Sequence, residues 1–295
     1  MTASARKADG GAGEFRPMEI TFSRLDETIA RFTLSGVNAA FANSFRRAML
    51  SEVPSLAIED VLIYDNTSAL FDEMLAHRLG LIPLETDLDL YGMKSTCSCE
   101  GAGCTLCQAI YTLSVEGAEG GTTVYSRDLI PQNPNAAPVD ANIPIVKIEK
   151  NQKVVLEARA QLGTGREHVK WEPTLSCGYM NYPVITVADN CDGCGRCVDE
   201  CPRGVLKSGP KSVEVISEKI ENCSLCRLCE RACIASGIGE EPAIRISHDE
   251  TKFIFVVESD GSLPVKRIME EALRWLKGKS DSLVDVLNDI SGVTS

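Results

Sequence analysis

Twelve of the 13 cysteines fall into three tight groups of four, and nothing else in the sequence restricts the fold as strongly. The segment Met1 to Phe15 has two basic residues but no apolar stretch, so it does not read as a secretory leader. In a chain that stays inside the cell, clustered cysteines point to metal before disulfides. A reducing compartment and a cytoplasmic location are the expectation.

The two later groups share one spacing. Cys191, Cys194, Cys197 and Cys201 follow C-x2-C-x2-C-x3-C with Pro202 next, and Cys223, Cys226, Cys229 and Cys233 repeat it. This is the two-cluster ferredoxin arrangement, in which three thiolates wrap one cubane and the fourth reaches the other. It assigns Cys191, Cys194, Cys197 and Cys233 to one [4Fe–4S] cluster, and Cys223, Cys226, Cys229 and Cys201 to the second. Ile234 departs from the pattern, standing where a proline often follows the second run. The alternative is two structural zinc sites, but zinc usually takes two ligand pairs joined by a longer loop. The third group, Cys97, Cys99, Cys104 and Cys107, offers four thiolates within 11 residues of a Gly-rich loop. It is a candidate Cys₄ zinc site, with disulfides or an empty loop as alternatives. Cys177 stands alone and reads as a buried free thiol.

Around the cysteines the chain alternates and then turns helical. Met18, Ile20 and Phe22, then Ala30, Phe32 and Leu34 beyond the polar turn Asp26-Glu27, predict a β-hairpin with one buried face. Val37, Phe41, Phe45, Ala48, Met49 and Val53 predict a helix over Asn38–Val53, stopped by Pro54. Leu70, Phe71, Met74, Leu75 and Leu79 predict a second, which Gly80 is placed to end. From Tyr91 to Glu172 short strands are expected, around Tyr111–Val115, Val124, Ile145–Ile148 and Val154–Ala158. The strand at Phe253, Phe255 and Val257 precedes a long helix opened by Pro264. Its stripe of Val265, Ile268, Met269, Ala272, Leu273 and Leu276 continues in phase through Leu283, Leu287 and Ile290. That length exceeds the usual globular helix; the stripe could cover the chain's own sheet, while its distal turns point to another subunit.

Thirty basic residues against 42 acidic ones give a net charge of −12. This disfavours direct DNA binding and polybasic membrane contact, both of which need Lys and Arg in excess. Hydrophobic residues at 44% suffice for a core, and no apolar run approaches a bilayer span. The expected protein is soluble. His77, His168 and His248 are scattered, Asp87 and Asp89 complete no catalytic set, and Glu240-Glu241 reads as a solvated loop. No phosphate loop or nucleophile elbow is present, so no catalytic centre is expected.

The segment Gly36-Val-Asn-Ala-Ala-Phe-Ala-Asn-Ser-Phe-Arg-Arg-Ala-Met-Leu50, with Ser51-Glu-Val-Pro54, resembles the RNA polymerase α family. So does Phe71-Asp-Glu-Met-Leu-Ala-His-Arg-Leu-Gly-Leu-Ile-Pro83, and with the ferredoxin-like insert the likeness is to the archaeal branch of that family. The resemblance implies an α+β fold in which a split dimerisation domain is interrupted twice. The implied parts are a disordered tail at 1–14, the dimerisation domain at 15–55 and 250–292, a mostly β insert at 56–180 and the iron–sulfur domain at 181–249. It implies a non-catalytic platform subunit of DNA-directed RNA polymerase, paired with subunit L and joined by subunits N and P and the large catalytic subunits. Phe41, Phe45, Met49, Ile268, Leu273 and Leu276 are the expected partner-face residues, with Arg46 and Arg47 expected at a large subunit. The cysteine loop at 97–107 resembles the zinc loop of the eukaryotic counterpart. A second class of function, an electron-transfer subunit of an oxidoreductase, rests on the eight cysteines alone.

Overall fold

The computed structural model describes residues 17–235 and 241–292. The tail expected at 1–14 and Glu240 lie outside them. The described chain forms two compact units. One contains Thr33–Ala39, Met180–Ile254 and the described residues through Thr21; the other contains Phe22–Phe32, Ala40–Tyr179 and the chain from Phe255.

The described chain begins in the expected hairpin. Strands β1 (Glu19–Leu25) and β2 (Ile29–Ser35) are closed by the Asp26 N–H, which donates to the Ile29 carbonyl at 2.8 Å. Helix α1 (Ala39–Ser51) buries Ala42, Phe45, Ala48 and Met49, residues three to four apart on one face. Phe45 packs its ring 6.5 Å from Phe32 and 5.9 Å from Phe255, and those two stack at 5.0 Å. Pro54 cannot continue the helix and instead opens β3 (Pro54–Asn66).

Next come α2 (Asp72–Gly80), β4 (Gln108–Glu116), β5 (Thr122–Tyr125), β6 (Ile130–Pro131), β7 (Pro144–Ile148) and β8 (Lys153–Thr164). Helix α2 runs through Gly80, with Leu81 at its cap in an ordinary φ of −95°, so this glycine does not supply a left-handed stop. The sheet order is β3-β8-β4-β6, with β3, β8, β4 and β6 antiparallel neighbours, and β5 pairs with β7. Strand β8 alternates buried and half-buried positions along nearly its whole length, the mark of a sheet with one face packed. Leu56, Ile58, Tyr111, Leu113, Leu156 and Ala158 form that face, and Leu75 and Leu79 of α2 join the same core.

Strand β9 (Thr174–Val187) leads into the cysteine-rich segment, which holds α3 (Arg196–Asp199), β10 (Leu206–Ser208), β11 (Val213–Val215) and α4 (Leu228–Ala235). Strand β12 (Ile244–Ser259) and helix α5 (Val265–Gly292) finish the chain. The sheet that contains the hairpin has the order β1-β2-β12-β9. The sequence also marks Val184–Val187 and Ala243–Ile246 as strands flanking the cysteine runs; the first is the end of β9, and β12 opens at Ile244. The core of the smaller unit is Val205, Leu206, Val213, Ile244 and Ile246 with three cysteines.

Candidate metal centres and partner face

The loop before β4 is built from tight turns. Cys97 N–H donates to the Lys94 carbonyl at 3.4 Å, Glu100 N–H to Cys97 at 3.1 Å and Cys107 N–H to Cys104 at 3.0 Å. Glu100, Gly101 and Gly103 take φ values of 51°, 84° and 92° to close them. At Gly103 the left-handed backbone favours glycine, and a Cβ there would also displace the end of the Gln108 side chain. The turns bring the four sulfurs together: Cys97 to Cys104 at 3.5 Å, Cys99 to Cys107 at 3.6 Å and Cys104 to Cys107 at 3.8 Å. All four lie within 4.8 Å of one another. Thiolates about 2.3 Å from a tetrahedral zinc stand about 3.8 Å apart, so the loop fits a single ion. Hydrogen bonding, first from the Gly103 N–H, draws the Cys99 thiol down to about 6, while burial pushes Cys107 up to about 12. No other described group draws three or more ligand atoms this close.

The eight remaining clustered cysteines are arranged differently, as the walls of two cavities. Cys191, Cys194, Cys197 and Cys233 line one. Cys201, Cys223, Cys226 and Cys229 line the other. Each cavity therefore joins three sulfurs of one run to the fourth of the other. Both loops use left-handed backbone, at Gly193 (φ 69°) and Gly195 (φ 77°) in the first and Leu225 (φ 55°) and Arg227 (φ 58°) in the second. The Ala243 N–H donates to Cys233 Sγ at 3.2 Å. Burial raises the thiols of Cys197, Cys223 and Cys229, the last to about 11. Four sulfurs around a space, rather than converged on a point, suit a cubane core better than a lone ion.

Cys177 is half-buried, 3.9 Å from the Arg46 carbonyl, and burial pushes its thiol up to about 12. His77, His168 and His248 are all exposed.

The expected partner residues separate into two sets. Phe45, Met49 and Ile268 are 1%, 0% and 0% exposed, buried in this chain's own core. That corrects their expected place on a partner face. Periodicity finds an apolar stripe but cannot say whose surface covers it. Phe41 and Leu276 are half-buried and Leu273 is exposed. Arg46 binds the Asn43 side chain of its own helix at 3.1 Å, and Arg47 is exposed. The hairpin is corrected too. Ala30, Phe32 and Leu34 are buried, but Ile20 and Phe22 on the edge strand β1, and Met18 just before it, are exposed. On α5 the buried residues Val265, Ile268, Met269 and Ala272 occupy the first turns, while Leu283, Val284, Val286, Leu287 and Ile290 are exposed. No helix among the described residues is long and apolar enough to cross a membrane.

Residues 31–280 match the family described as the RNA polymerase Rpb3/Rpb11 dimerisation domain. A protein of Methanosarcina acetivorans named DNA-directed RNA polymerase subunit Rpo3 is 46% identical over 274 residues, covering 92% of this chain and 99% of the relative. The protein of the same name from Methanosarcina mazei is 47% identical over 274 residues, with the same coverage. That from Archaeoglobus fulgidus is 41% identical over 261 residues, covering 88% and 94%.

Proposed function

This chain belongs to the RNA polymerase Rpb3/Rpb11 dimerisation-domain family, and from that premise we propose how it acts. It is a subunit of DNA-directed RNA polymerase, a nucleotidyltransferase complex, and supplies no catalytic centre of its own. Its role is assembly: it pairs with a smaller subunit of the L type, is joined by subunits N and P, and presents the pair to the large catalytic subunits. The electron-transfer reading finds no support in its relatives. A cytoplasmic location goes with this role.

The observation that carries the pairing is the outer part of α5. A helix of 28 residues rises about 1.5 Å per residue, so it is about 42 Å long. Its first turns pack in the chain, and its apolar stripe then continues on the exposed side through Leu283 and Ile290. The exposed residues Met18 before β1, Ile20 and Phe22 on it, and Leu273 on α5 are the further candidates for that face.

The metal reading has three parts. One Zn²⁺ is held by Cys97, Cys99, Cys104 and Cys107; the converged sulfurs support this. One [4Fe–4S] cluster is held by Cys191, Cys194, Cys197 and Cys233, and a second by Cys223, Cys226, Cys229 and Cys201. The two four-sulfur cavities support this. Such clusters exchange single electrons, yet in a small unit with eight ligands and few apolar residues their first contribution is folding free energy.

The test is co-purification with the L-type subunit. A fully buried Leu or Ile side chain contributes about 1.5–3 kcal/mol, or roughly 10- to 100-fold in affinity. Leu283→Asp combined with Ile290→Asp should abolish recovery of the pair while leaving the metal content unchanged. Undiminished pairing would remove α5 from the interface.

A further inference from the structure

The eight-cysteine unit repeats a sequence pattern, but the charges around its two cavities are not repeated. On the cluster reading above, we propose that the two clusters sit in fields of opposite sign, so that the one held by Cys223, Cys226, Cys229 and Cys201 accepts an electron first. The one held by Cys191, Cys194, Cys197 and Cys233 follows at lower potential.

The charged residues lining the first cavity are Asp192 and Glu241, and those lining the second are Arg203 and Arg227. Ion pairing removes one from each side. Glu241 pairs with Arg245, and Arg227 lies 3.8 Å from Glu230. The remaining charges are Asp192 at the first cavity and Arg203 at the second. Asp192 is fixed in place, since its carboxylate accepts the Cys194 N–H at 3.1 Å.

Reduction of a thiolate-bound cubane adds one electron from an external donor and breaks no bond. The reduced complex carries one more negative charge than the oxidised one. A carboxylate at the rim therefore opposes reduction, and a guanidinium favours it. Solvent access does not reverse the order, because each cavity has one exposed ligand, Cys194 in the first and Cys226 in the second. The apolar lining of the second cavity, from Ile185, Val205, Leu228 and Ile246, raises the cost of added charge there, which the guanidinium groups at its rim offset. Asp192, Arg203 and Arg227 are all exposed, so salt screens the effect. The splitting belongs to low ionic strength.

The experiment is a potentiometric titration of the full chain with dithionite, followed by electron paramagnetic resonance after anaerobic reconstitution. Iron and sulfide are assayed first, with about eight of each expected for two cubanes. Two waves should appear. Arg203→Gln should move only the upper wave, downward, and Asp192→Asn, which keeps a carbonyl for the Cys194 N–H, should move only the lower wave, upward. High salt should draw the two together. Two intact clusters that titrate as one wave, or waves that each variant moves in the opposite assignment, overturn the inference alone. A chain that takes up no iron overturns the cluster reading and the inference with it.

Discussion

The loop at Cys97–Cys107 and the eight-cysteine unit both gather thiols, but they do so at different ranges of sequence. In the loop, four ligands come from 11 consecutive residues, and turns alone bring the sulfurs to 3.5–3.8 Å. In the eight-cysteine unit each cavity borrows one sulfur from the other run: Cys233 from α4 for the first, Cys201 just after α3 for the second. The loop can thus form its site locally, whereas neither cavity is complete until both halves have packed. Metal binding should be independent in the first case and cooperative with folding in the second.

The largest test of that contrast is serine at all eight ligands lining the two cavities. Iron should be lost completely and protease should cut within Met180–Ile254, while one zinc per chain remains by elemental analysis. Loss of zinc as well would show that the two regions are not independent. A smaller effect is expected from Cys201→Ser alone. It should remove the cluster of Cys223, Cys226 and Cys229, lowering iron by about half, and leave the spectrum of the neighbouring cluster in place. If the Cys191, Cys194 and Cys197 cluster is the one lost, the borrowed-ligand arrangement is wrong.

The smallest effect lies inside the unit. Leu225 has the same left-handed backbone as Gly193, with φ values of 55° and 69°. A side chain in that region costs roughly 1–2 kcal/mol. Gly193→Leu should therefore destabilise the unit by about that amount. Space is not the obstacle, as the nearest atoms to a Cβ there are 3.4 Å away. Leu225→Gly should release part of its strain, offset by the entropy of the unfolded glycine. Opposite shifts in the rate of iron release to a chelator would sharpen the comparison; equal shifts would break it.

Much of this was legible in the sequence. The cysteine registers were, because ligand spacing is a local property and eight residues in phase rarely arise otherwise. The hairpin, α1, α2 and α5 were legible from period alone. What the sequence did not disclose is what covers each apolar face. Phe45 and Leu283 look alike in a helical stripe, yet one is packed among Phe32, Phe41 and Phe255 and the other faces water. Nor was the length of β9 legible. Cys177, Gly178 and Pro183 interrupt its pattern, so only Val184–Val187 read as strand, although it begins at Thr174. The short hairpin of β10 and β11, with three paired positions between the cysteine runs, carries too few residues for any period to emerge.

The exposed stripe on α5 also bears on how much of this protein a cell can keep. A copy made without its partner carries Leu283, Val284, Val286, Leu287 and Ile290 into water, an apolar surface open to other chains and to quality control. Pairing removes it from view. On the pairing proposed above, surplus copies would be cleared or aggregate while paired copies persist, and the scarcer partner would set the supply of assembled pairs.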